Sequence, residues 1–197
     1  MISNQGQYKK RRLIFNYMRS WENFTKDSTV YDLSHLDQMK FRYVRAGNPE
    51  TQTPDKEITF LVSFSHHCFS GHVGERDWIY PHAHDERYFC VTRYELSKGL
   101  PDLIRSLLDS NPYFLRTFLE HREQFFYVEQ HYKNETYRLF LEITKPTKNY
   151  ADIRIDVRSA YHEEPYAQAV TGDNRFKLWR IIDAKLTGVA LPKRRSR

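Results

Sequence analysis

The stretch Ala151-Asp-Ile-Arg-Ile-Asp-Val-Arg-Ser-Ala-Tyr-His162 decides the fold class. Side chains alternate across a strand, which predicts Ile153, Ile155, Val157 and Tyr161 on one face. Arg154, Asp156, Arg158, Ala160 and His162 are expected on the other. An apolar row beneath a cationic, titratable row is the pattern of a half-buried strand. A bulge ahead of Tyr161 would be needed to bring that side chain out of the core. Upstream, residues 125 to 132 are rich in aromatics. Residues 136 to 144 set Tyr137, Leu139, Leu141 and Ile143 against Arg138, Phe140 and Glu142, with Lys133-Asn-Glu as a short hairpin turn. Residues 175 to 183, with Phe176, Leu178 and Trp179, read as a looser strand.

Earlier in the chain, strand candidates at 40 to 46 and 57 to 66 flank the polar Gly47-Asn-Pro-Glu-Thr-Gln-Thr-Pro-Asp55. They predict a hairpin with a long connection. Residues 68 to 92 lack clear periodicity and form the longest irregular stretch. Leu96, Leu100, Leu103, Ile104, Leu107 and Leu108 then follow helical spacing. Pro101 and Asp102 suit a first turn, and Gly99 can divide two short helices. A second helical piece over 113–121 is expected from Phe114, Leu115, Phe118 and Leu119. Near the start, Leu13, Ile14, Tyr17, Met18 and Trp21 trace the stripe of an amphipathic helix, a docking face against this chain or a second copy.

Together these readings predict an α+β fold, a mainly antiparallel sheet packed with a central helical segment, plus the N-terminal amphipathic helix. The expected organisation is a basic helical extension over 1–35, one domain over 36–190 and a basic tail over 191–197.

The charge balance, 31 Lys+Arg against 25 Asp+Glu, favours polyanionic partners. The excess gathers at the ends, in Lys9-Lys10-Arg11-Arg12 and in Lys193-Arg194-Arg195. Two cysteines make no disulfide framework, and no apolar run is long enough for a signal or a membrane span. A cytoplasmic protein with free thiols is expected.

Three groups of residues bear on chemistry. In the C-terminal row, Arg154 and Arg158 present forked donors to phosphate, while His162 supplies an acid–base group at the strand's end. With Lys145, Arg175 and Arg180 from neighbouring strands, this set has the residue types of metal-free RNA cleavage. The bland alternative is a solvated face on which Asp156 pairs the arginines. The second group is Phe64-Ser-His-His-Cys-Phe-Ser70 with His72, His82, His84 and Cys90. His66, Cys68, His82 and Cys90 have zinc-ligand types, although their spacing matches no finger or ribbon. A Cys68 nucleophile is a further option. The third is Asp85-Glu86-Arg87 with Arg93, Tyr94 and Glu95, where Arg87 and Arg93 extend a basic groove or simply form ion pairs.

At Phe64-Ser-His-His-Cys-Phe-Ser70, Arg93-Tyr-Glu-Leu-Ser97 and Ser159-Ala-Tyr161, the chain resembles a family of small bacterial proteins of prophages and other mobile elements. The resemblance covers roughly 36–183 and implies no activity. The order of helix then antiparallel strands with late basic residues is also similar, at the level of architecture, to small toxin ribonucleases.

The leading expectation is a nucleic-acid-directed protein without a cofactor, most concretely a metal-independent endoribonuclease with Arg154, Arg158 and His162 in catalytic roles. Contacts to RNA would come from Lys145, Arg175, Arg180 and the two terminal clusters. The alternatives are a non-catalytic mobile-element regulator or protein inhibitor, with a partner or second copy at the N-terminal helix, and a zinc protein. Convergence of His66, Arg154, Arg158 and His162 on one open cleft would favour chemistry, and dispersal over a flat charged face would favour binding or no function for the row at all.

Overall fold

The computed structural model describes residues 20–81, 86–119, 122–162 and 169–192. The expected N-terminal helix therefore lies outside the described residues, apart from its end at Trp21. The first elements are a small hairpin, β1 (Phe24–Lys26) and β2 (Thr29–Tyr31), turned by Asp27 and Ser28 at φ 48° and 64°. Two consecutive left-handed residues make the turn type that matches strand twist. Next come β3 (Met39–Arg45) and β4 (Lys56–Phe64), antiparallel as expected. The irregular stretch holds three short strands, β5 (Ser70–Gly71), β6 (Ile79–Tyr80) and β7 (Arg87–Phe89), ordered β5-β7-β6.

Two helices follow, α1 (Val91–Ser97) and α2 (Leu100–Ser110), divided at Gly99 with Pro101 in the first turn of α2. The remaining strands are β8 (Tyr113–Leu119), β9 (Arg122–Tyr132), β10 (Glu135–Thr144), β11 (Ile153–His162) and β12 (Arg175–Lys177). Lys133 and Asn134, at φ 49° and 63°, turn β9 into β10. The chain closes with α3 (Leu178–Thr187), ended by Gly188 in the left-handed region at φ 73°.

The main sheet has the order β12-β8-β9-β10-β11-β4-β3. Every pairing is antiparallel except β11 with β4. The fold is thus α+β with mainly antiparallel sheets. One face of the sheet, the inner face, carries Phe60, Val62, Leu139, Leu141, Ile143, Ile153, Ile155 and Val157. These share one core with Leu100, Ile104, Leu107 and Leu108 of α2 and Leu178, Trp179, Ile181 and Ile182 of α3. Trp179 donates its indole N–H to Leu108 O at 2.9 Å, so the large ring is buried without an orphan donor. Phe24, Leu33 and Leu36 belong to the same core, and Trp21 Nε1 donates to Phe64 O. The core therefore takes in Phe24 and Leu33, upstream of residue 36.

Two expectations fail. Residues 113–119 are a strand where a helix was expected, because three-to-four spacing in a run this short does not separate the two states. Pairing with β9 and β12 decides it, with Phe114 inward and Tyr113 outward. Residues 178–183 are helical where a strand was expected. Leu178, Ile181 and Ile182 are buried at helical spacing, and only Arg175–Lys177 pairs as a strand. Among the described residues, no helix is long and apolar enough to cross a membrane.

Candidate nucleic-acid interface

The outer face of the sheet, opposite the core, is where the cationic row was expected to lie. Along β11 the first half behaves so, with Ile153, Ile155 and Val157 buried and Arg154 and Asp156 outward. Then the register shifts. Phe140 pairs with Ser159 and Leu141 with Val157, which leaves Arg158 as an extra residue at a β-bulge. One extra residue reverses which parity faces the core. Ala160, expected outside, is fully buried, while Tyr161 turns outward and stacks on Phe140 with ring centroids 6.0 Å apart. His162 pairs with the fully buried Tyr137 and so falls on the inner face. The expected alignment of His162 with Arg154 and Arg158 is thereby corrected.

Each arginine at the centre of the outer face has a carboxylate. Arg154 grips Asp156 with Nε to Oδ2 at 2.8 Å and Nη2 to Oδ1 at 2.8 Å, while Ser63 also donates to that carboxylate. The Asp156 hydrogen bond holds the Arg154 guanidinium above its ordinary pKa. Arg158 Nε lies 3.9 Å from Glu142, and Arg138 Nε lies 3.5 Å from Glu129. This is the ion-paired alternative, with more carboxylates than Asp156 alone.

At the β12 end the same face differs. Arg175 and Lys177 are two residues apart and both exposed, and Lys177 pairs across with Tyr113. Its ammonium lies 5.6 Å from the Tyr113 ring centroid, and Tyr113 is 58% exposed. Arg180 is exposed on the first turn of α3. None of these three cations has a carboxylate within ion-pair distance among the described residues. The strand is held in place by Arg116 beneath it. Arg116 is 3% exposed and binds Asp173 through both Nε, at 3.0 Å, and Nη2, at 2.5 Å. It also donates to Pro192 O at 2.8 Å, just ahead of Lys193-Arg194-Arg195. Those three residues, and Lys9, Lys10, Arg11 and Arg12, lie outside the described residues.

A group of aromatic rings lies near the centre of this face. Tyr127 and Phe140 are 4.9 Å apart, and Phe125 meets Phe140 at 6.5 Å. Burial, aided by a hydrogen bond to Glu129, pushes the Tyr127 hydroxyl above its usual range. Lys145 sits apart from this set, exposed after β10, where it donates to Leu186 O at 2.9 Å.

The histidine-rich stretch takes another form. His66–Cys68 is a turn of 3₁₀ helix capped by Ser65, so His66 and Cys68 do not share a strand face. Burial pushes the Cys68 thiol up to about 12, the reverse of what a thiolate nucleophile requires. Among the described residues, no three His, Cys, Asp or Glu side chains are placed to hold a metal ion, and His82 lies outside them. Arg87 and Arg93, 3% and 7% exposed, are not part of a basic groove. Arg87 Nη2 donates to His67 Nε2 at 3.3 Å, and Arg93 Nη1 donates to Ser70 O at 2.8 Å. The Arg93 guanidinium also lies 4.9 Å from the Tyr161 ring centroid. Arg154 and Arg158 thus share the outer face, while His162 falls on the inner face and His66 is buried.

A family model matches residues 23–186, which include every strand and nearly all of α3. The chain belongs to the YjaZ family. No curated protein and no solved structure matches it. In this YjaZ-family chain the three stretches that carried the resemblance meet in space. Ser65 Oγ donates to Arg158 O, and Arg93 bridges Ser70 and Tyr161. They buttress the bulged end of β11. Tyr113 and Lys177 escaped the sequence reading because 113–121 read as a helix, which concealed the alternation that turns Tyr113 outward.

Proposed function

We infer that the chain binds single-stranded nucleic acid, RNA most concretely, on the outer sheet face and releases it uncut. The observation that carries this reading is Tyr113, an exposed ring flanked by Lys177 and Arg175, two cations with no described carboxylate partner. Stacking platforms beside uncompensated cations are what sequence-tolerant strand binding uses, with about 1–3 kcal/mol per stacked base. The half-buried Phe140 and Tyr161 continue the aromatic surface on the same face. Cleavage by the expected residues would require His162 and the two arginines to meet one phosphate, and the bulge sends them to opposite faces. Binding without turnover also fits a regulator of the kind mobile elements carry, acting in the cytoplasm.

Fluorescence anisotropy with a single-stranded RNA of about 12 nucleotides, titrated across salt, tests this. Arg175→Ala with Lys177→Ala should weaken binding about tenfold at low salt and flatten the log–log salt slope by roughly 1.4, two phosphates' worth. Unchanged affinity and slope would sink the reading. In parallel, RNA that is cut in EDTA by the parent chain but not by His162→Ala would restore the nuclease assignment.

A further inference from the structure

Beside β3 a cleft of about 550 Å³ opens between that strand and the connection from β10 to β11. Its size falls in the range of small-ligand sites, about 300–1,000 Å³. Lys40 and Arg42 enter it from β3 and Lys145 from the connection. Lys40 has no ion-pair partner among the described residues, and Arg42 meets Glu57 only at 3.6 Å with both side chains exposed. Lys145 spends one of its three N–H bonds on Leu186 O, which fixes the ammonium and leaves two for a ligand. The opposing charge in the lining is Asp152, whose Oδ2 already accepts the Thr59 N–H at 2.7 Å. A return bond from Asp152 N to Thr59 O, at 2.9 Å, makes this floor rigid.

The walls are not all cationic. Tyr150 also lines the cleft. Asn149 adds an amide able both to donate and to accept. Cations from β3 and from the connection, lining one cleft with the aromatic Tyr150, match a ligand with a phosphate joined to a planar heterocycle. We propose that this cleft binds a nucleoside phosphate, its phosphate held by Lys40, Arg42 and Lys145 and its base laid against Tyr150. The site is independent of the RNA-binding reading, because β3 and β12 are opposite edges of the sheet. Six strand intervals of about 4.8 Å separate those edges by roughly 29 Å.

Isothermal titration of the full chain with adenosine 5′-monophosphate, adenosine and inorganic phosphate tests the site. The nucleotide should bind with Kd below about 1 mM, and more tightly than either fragment. Lys40→Ala with Arg42→Ala, both at exposed positions, should weaken it about tenfold or more. Tyr150→Ala should weaken the nucleotide and leave inorganic phosphate unchanged. No nucleotide binding, or nucleotide and phosphate binding equally, would overturn the proposal. Arg175→Ala with Lys177→Ala should leave nucleotide binding intact even where it weakens RNA binding, so the two readings fail separately. The same phosphate could be free or could end an RNA strand. Tighter binding of 5′-phosphorylated than of 5′-hydroxyl RNA, lost in Lys40→Ala with Arg42→Ala, assigns the strand end, and equal binding assigns the free nucleotide.

Discussion

The centre of the outer sheet face and its β12 edge carry the same kind of side chain in opposite electrostatic states. At the centre, Arg154, Arg158 and Arg138 face Asp156, Glu142 and Glu129 on the same or adjacent strands. At the edge, Arg175 and Lys177 flank an exposed tyrosine with no described carboxylate partner. A guanidinium whose donors are spent on a carboxylate offers little to an incoming phosphate, because binding must first break that pair. The richest row of cations in the sequence is therefore the poorer anion site.

The largest effect is expected when the edge is released from its anchor. Arg116 and Asp173 form a largely buried pair, and removing one partner leaves a charge without compensation. Asp173→Ala should cost about 3 kcal/mol of stability, read as a lowered urea midpoint. RNA binding should fall with it, because β12 loses its seat. A variant as stable as the parent would show that Arg116 does not hold the edge.

A smaller effect sharpens the contrast. Arg154→Ala with Arg158→Ala should change RNA affinity less than about twofold, against about tenfold for the paired substitution at the edge. Conversely, Asp156→Asn removes the carboxylate that occupies Arg154 and should make that arginine available. A gain of a few-fold in low-salt RNA affinity is expected, of the order of one added phosphate contact. If the central pair weakens binding as much as the edge pair, the distinction between spent and available cations is wrong.

Much of this architecture was legible in the chain. The alternation in 136–144 and the first half of 152–161, the hairpin of β3 and β4, and the two helices divided at Gly99 all follow from local pattern. The bulge at Arg158 did not. It depends on which residue of β10 lies opposite, and a shift of one position sends His162 and Tyr161 to exchanged faces. For the same reason the charge state of each arginine was hidden. Asp156 is two residues from Arg154 and visible in sequence, but Glu142 and Glu129 are brought to their partners only by strand pairing. The cleft beside β3 joins residues about a hundred positions apart, so Lys40, Arg42 and Lys145 could not be grouped before the topology was known.

Acid should separate the two faces of the sheet in a last and smaller way. If the outer face takes RNA through arginine and lysine, no group that titrates near neutrality takes part, and RNA affinity should be flat between about pH 6 and 8. The packed side contains His35, whose Nε2 meets Ser97 Oγ at 2.8 Å. Ser97 Oγ also donates to Tyr94 O at 2.8 Å. Burial lowers the His35 pKa from its ordinary 6.5, opposed by Asp32 and Glu95 and assisted by Lys98. A group with a depressed folded pKa takes up its proton more readily when unfolded, so acid favours unfolding. The contribution is fully present above about pH 6.5 and is lost as pH falls through that value toward the folded pKa. Urea midpoints measured at pH 8 and pH 5 should therefore drop in the parent. His35→Gln, which can still hydrogen-bond to Ser97, should show a smaller drop. An equal drop in both proteins would assign the acid sensitivity to another group, while RNA affinity that follows the same pH curve would mean that the two faces are not separable.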